Sequence, residues 1–166
     1  MTTSDESTVK PDFRFMLSHP AHMLSLGFGS GLAHKAPGTF GTLVAFPIYW
    51  YLAQHLTDVL FLCVLICAYA VGVWVCDITG KALGESDFGG IVWDEIVAFV
   101  LVLFFTPPGW EWSLLAFVLF RFFDVIKPQP IRYFEVKLKG GQGVMFDDLL
   151  AAGYALLCLA VIKSAL

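Results

Sequence analysis

Charge is what this sequence has least of. Its 166 residues include 10 Lys and Arg and 14 Asp and Glu, so only 14% are charged, against about 25% in soluble domains. Hydrophobic residues make up 58% and the mean hydropathy is +0.75, which reads as a membrane protein. The net charge is only −4 and no basic block occurs, which sets nucleic acid aside as a partner. Cysteine is scarce as well. Cys63, Cys67, Cys76 and Cys158 all lie within apolar runs, where a thiol acts as a small hydrophobe and no disulfide framework is expected. Residues 1–12 are polar and carry no secretory leader pattern, so the first hydrophobic span is expected to be retained.

Two phosphatase signatures are also missing. No Cys has an Arg six positions later, and no Asp-x-Asp-x-Thr occurs. The four histidines, His19, His22, His34 and His55, all lie in the first third, away from the acidic clusters, which argues against a histidine nucleophile.

What the chain does have is carboxylates at the mouths of apolar helices. Asp87, Asp94 and Glu95 precede the run Ile96 to Phe105, and Asp147 with Asp148 opens the last apolar run, through Ile162. Dipole compensation at a helix N-terminus accounts for one such acid, not for two pairs with Asp87 and Asp124 besides. Glycine-rich turns precede each pair. An earlier one, Gly27 to Thr42, carries His34 and Lys35 and leads into an expected helix, Leu43 to Gln54. Its free N–H groups could hold an anion, with Thr39 or Thr42 as cap.

The remaining spans follow in order. Phe13 to Leu26, interrupted by Pro20, fits a segment on the membrane surface or beneath a bundle. Val59 to Cys76 is 18 residues without a charge, roughly 27 Å as a helix and close to the hydrocarbon thickness. Ile96 to Phe105 and Ser113 to Phe120 form an expected hairpin across Thr106 to Trp112. Its second helix ends at Pro128, with Arg121, Asp124 and Lys127 spaced to pair along one face. Arg121 and Lys127 also suit snorkelling at a membrane boundary. A polar loop with Arg132, Lys137 and Lys139 leads to the last helix.

The predicted fold is all-α: a polytopic membrane bundle of about five helices, residues 27–166, after an N-terminal polar and interfacial segment, residues 1–26. If the helices alternate in direction, the polar groups gather at one end. Nine of the ten Lys and Arg border that end and Lys163 alone the other, which places it in the cytoplasm. Carboxylates beside cations and glycine-rich entrances suit Mg²⁺ holding a phosphate, and hence phosphoryl transfer or hydrolysis. Some of Asp94, Glu95, Asp124, Asp147 and Asp148, with Asp87 as a further candidate, would hold the metal, and one carboxylate would take a proton from water. Lys127 and Arg132 would steady the phosphate, with His34 and Lys35 as further contacts. The lipid tails are expected to stay in the bilayer.

Four motifs now stand in order: Gly27-Phe-Gly-Ser-Gly-Leu32 with Ala36-Pro-Gly-Thr39; Ile91-Val-Trp-Asp-Glu95; Phe120-Arg-Phe-Phe-Asp-Val-Ile-Lys-Pro-Gln-Pro-Ile-Arg132; and Gly141-Gln-Gly-Val-Met-Phe-Asp-Asp148. From Gly27 to Gly153 the chain resembles the phosphatidylglycerophosphatase A family in its proteobacterial form. The resemblance implies a bacterial inner-membrane enzyme that hydrolyses phosphatidylglycerophosphate to phosphatidylglycerol and phosphate and requires Mg²⁺. Carried over by motif, its functional positions are Thr39, Asp87, Asp94, Glu95, Asp124, Lys127, Arg132, Asp147 and Asp148. The alternative is a small ion-coupled transporter, which predicts acids near the midplane and an internal repeat.

Overall fold

The computed structural model describes residues 11–165, and the polar opening read over residues 1–10 lies outside them. Every regular element among the described residues is helical, as the sequence predicts. Two short helices, α1 (Phe13–Ser18) and α2 (Pro20–Ser25), precede a 3₁₀ segment, Gly27–Leu32. Then come α3 (Pro37–His55), α4 (Asp58–Leu83), α5 (Trp93–Phe105), α6 (Trp110–Ile126), α7 (Ile131–Lys137) and α8 (Gly141–Ala165).

The bundle is built around α5, which packs against α3, α4, α6 and α8. From Ile96 on its sequence is apolar on all sides, the pattern of a helix inside a bundle, and Ile96 to Val100, Val102 and Leu103 are buried. Phe99 sits at the centre, its ring 5.3 Å from Phe46, 5.8 Å from Phe117 and 5.4 Å from Phe120. At 13 residues, α5 is about 20 Å long, shorter than the ~30 Å hydrocarbon core. Among the described residues only α4 and α8, with 26 and 25 residues, are long and apolar enough on their own to cross a membrane.

Three helices begin or end elsewhere than their composition predicts. Helix α3 starts at Pro37 rather than Leu43, because proline presets the first helical φ and Ala36 turns the chain in the left-handed region at φ 49°. Thr39 and Thr42 therefore lie inside the helix and cap nothing; the Thr42 hydroxyl donates to Gly38 O at 2.8 Å. Helix α4 runs past Asp77, which pairs one turn on with Lys81, and stops at Gly84 with φ 76°. Helix α8 starts at Gly141, so Asp147 and Asp148 fall in its second turn rather than its first.

The segment read as interfacial packs on the bundle. Pro20 opens α2, and the His22 ring meets Thr79 Oγ1 of α4 at 2.9 Å, while that hydroxyl donates to Ser25 Oγ at 3.0 Å. The loop expected after Pro130 is helix α7, which packs against α8. All four cysteines are free, as expected.

Candidate active site

The first turn of α5 carries Asp94 and Glu95, and the second turn of α8 carries Asp147 and Asp148. All four are nearly inaccessible, at 6%, 9%, 4% and 4% exposure. Asp94, Glu95 and Asp148 each offer a carboxylate oxygen within 4.8 Å of the others. Asp94 Oδ1, Glu95 Oε2, Asp147 Oδ1 and Asp148 Oδ2 are buried without a hydrogen-bond partner. An uncompensated buried carboxylate costs several kcal/mol, so the group calls for positive charge.

Arg121 supplies part of it. Its Nη1 lies 2.5 Å from Asp124 Oδ2 and 3.5 Å from Glu95 Oε1, and its side chain is 17% exposed. These contacts are ion pairs by distance, but Nη1 has no aligned hydrogen bond. The i,i+3 pairing of Arg121 with Asp124 is as the spacing predicts; a snorkelling Arg121 is not what forms. The entrance of α3 closes on this pair, since a Cβ at Gly38 would collide with Glu95 Oε1 and crowd the Arg121 guanidinium. Glycine at 38 is what lets α3 approach.

Lys127 stands apart from that cluster. It takes a left-handed conformation, φ 45°, and leaves the helical face it would have shared with Asp124, so the expected Asp124–Lys127 pair is replaced. Its Nζ lies 3.0 Å from Glu135 Oε1, 3.5 Å from Asp147 Oδ2 and 3.7 Å from Asp87 Oδ2. Burial opposes its charge, but the hydrogen bond to Glu135 and the charges of Asp87 and Asp147 outweigh it and raise its pKa above the ordinary lysine value.

The acids predicted to act together therefore divide. Asp94, Glu95 and Asp148 form one oxygen-only group that could hold a hard divalent cation. Asp124 faces Arg121, and Asp147 faces Lys127. Asp87 is at the rim, its side chain 56% exposed. Among the predicted phosphate contacts, Lys127 is beside the acids; Thr39 is half-buried on the first turn of α3, and His34 and Lys35 are exposed before it. Arg132 is exposed on α7 and reaches the Ile126 carbonyl at 3.5 Å. Two contributors, Arg121 and Glu135, are not among the site residues expected from the sequence. Arg121 carried the signal of its spacing to Asp124, whereas Glu135 sat in an apparent polar loop and carried none.

Known proteins resemble the chain along most of its length. The family model for phosphatidylglycerophosphatase A matches residues 23–163. The Haemophilus influenzae phosphatidylglycerophosphatase A is 44% identical over 151 residues, covering 90% of this chain and 93% of the relative. Its Escherichia coli counterpart is 42% identical over 139 residues, covering 83% of this chain and 80% of the relative. No solved structure matches the chain. With a family model spanning nearly all of the described helices and relatives matched along most of their length, the chain belongs to the phosphatidylglycerophosphatase A family.

Proposed function

We propose that this chain removes the terminal phosphate of phosphatidylglycerophosphate, yielding phosphatidylglycerol and inorganic phosphate, where α3, α5, α6 and α8 meet. The observation that carries this reading is the buried group of Asp94, Glu95 and Asp148, with unpaired oxygens and Arg121 alongside. The family and the names of the two relatives above support this substrate. Ion-coupled transport, the alternative, gains nothing from relatives that are named as phosphatases.

Asp94, Glu95 and Asp148 would hold Mg²⁺, which when bound neutralises phosphate charge. Arg121 and Lys127 hold the non-bridging oxygens by charge-assisted hydrogen bonds. Asp147 keeps one oxygen on Lys127 and has the other, Oδ1, unpaired. That oxygen takes a proton from the attacking water as its oxygen bonds to phosphorus and the ester P–O bond breaks. The departing alkoxide takes up a proton from water and leaves as phosphatidylglycerol, and Asp147 gives the proton it took back to solvent. Asp124 orients Arg121, and the exposed His34, Lys35 and Arg132 attract the anionic headgroup, with Thr39 and Asp87 at the rim.

The same reading puts α3, α4, α5, α6 and α8 across the bacterial inner membrane with the acidic end in the cytoplasm. Its support is the nine-to-one distribution of Lys and Arg and the apolar outer surface: Trp50, Ile66, Trp74, Val118, Phe122 and Leu157 all face outward. Phosphate release from purified protein and phosphatidylglycerophosphate, with chelator and then with Mg²⁺ restored, tests the activity. Release that appears only with Mg²⁺ is expected. No release under either condition would overturn the assignment, and release unaffected by chelator would overturn the metal.

A further inference from the structure

A cavity of about 330 Å³ lies between α4, α5 and α8, near the lower limit of about 300 Å³ for small-molecule pockets. Leu65, Ile66, Val97, Ala98 and Met145 wall it, and Asp94 is the one charged residue among its lining. Val97, Ala98 and Met145 are buried, whereas Ile66 is 69% exposed on the outer face of α4. The cleft thus runs from the outer surface of the bundle to Asp94, the residue whose carboxylate groups with those of Glu95 and Asp148. Water is a poor occupant, since an ordered water needs about 2–4 polar partners and these walls are apolar. Vacant, the walls would lose dispersion contacts. An occupant that is apolar along its length and polar where it meets Asp94 satisfies both ends.

We infer that this cleft holds one acyl chain of the phospholipid substrate while the phosphorylated headgroup lies at Asp94, Glu95 and Asp148, an inference that rests on the phosphatase reading above. One tail then leaves the bulk bilayer for a protein-lined slot, in place of the expectation that both remain in lipid. The slot fixes the depth of the glycerol backbone and so where the phosphate stands against the acids. It also makes the enzyme sensitive to chain length, which a site reading the headgroup alone is not.

The test uses the full chain in phosphatidylcholine vesicles and two probes with the same diazirine-bearing acyl chain, one phosphatidylglycerophosphate and one phosphatidylcholine. Photolysis of the first should place adducts on the cleft segments of α4, α5 and α8, in excess over the second. Ala98→Leu, which fills the cavity, and Ile66→Trp, at an exposed lip where folding is not at stake, should each diminish them. In the same variants kcat/KM should fall about tenfold for a dioleoyl substrate, the effect of losing roughly two buried methylenes, and stay within about twofold for a dihexanoyl one. Equal labelling by the phosphatidylcholine probe, adducts indifferent to both variants, or parallel losses on both substrates would overturn the slot. Cleft labelling by the phosphate probe with no phosphate released would keep the slot and overturn the phosphatase reading.

Discussion

Asp147 and Asp148 are neighbours in the chain but face different charges: Asp147 Oδ2 lies 3.5 Å from Lys127 Nζ, while Asp148 lies with Asp94 and Glu95. Successive residues of an α-helix point about 100° apart, so one acid pair can serve two subsites. Their amides should behave differently. Asp148→Asn should raise the Mg²⁺ concentration needed for phosphate release, with excess metal restoring part of the rate. Asp147→Asn should lose about 10²-fold or more at saturating metal, the scale of proton-transfer catalysis. Metal titrations of the two variants check this, and identical behaviour would remove the division.

Arg121 compensates Glu95 and Asp124 at once. Arg121→Gln should lower both activity and thermal stability, since removing one partner of a buried ion pair costs about 3–5 kcal/mol. Arg121→Lys should recover stability better than activity, because an ammonium cannot face two acids and a phosphate as a planar fork does. Melting curves beside phosphate release distinguish the two effects.

Gly38→Ala should damage the site more than the fold, since the atoms in its way are the tips of Glu95 and Arg121. A drop in phosphate release with a melting temperature close to the parent is expected. Gly89→Ala, where an added Cβ meets nothing within 4 Å, should leave both unchanged.

Lys127 has its pKa raised in the folded chain. A raised pKa contributes stability that is fully present below the unfolded value, about 10.4, and is lost only as pH rises through the folded one. The difference in melting temperature between the parent and Lys127→Met should therefore stay constant from roughly pH 7 to 9. A difference that shrinks across that range would contradict the geometry around Asp87, Glu135 and Asp147.

Much of this arrangement was legible in the sequence because its signals are local. Helical character, the turn at Pro107 and Pro108, and the gathering of Asp94, Glu95, Asp124, Asp147 and Asp148 at one end follow from hydrophobic runs and helix alternation. What stayed hidden depends on backbone geometry or on tertiary partners. The left-handed turn at Lys127 redirects a side chain that simple spacing assigns to Asp124. The start of α8 at Gly141 rests on close packing, since any Cβ there would strike the Val73 carbonyl of α4. Glu135 becomes meaningful only once α7 brings it to Lys127.

Whether the buried acids perform the chemistry is read from amide substitution, with turnover and stability followed together. Asp94→Asn, Glu95→Gln, Asp124→Asn, Asp147→Asn and Asp148→Asn keep shape while removing charge. Folded proteins are expected whose phosphate release falls at each position, through weakened Mg²⁺ dependence for ligands and by about 10²-fold or more at saturating metal for the proton acceptor. Acids that merely compensated helix dipoles would cost only about 0.3–1 kcal/mol of stability each, and five amide variants with undiminished turnover would rule out a catalytic role for the buried acids.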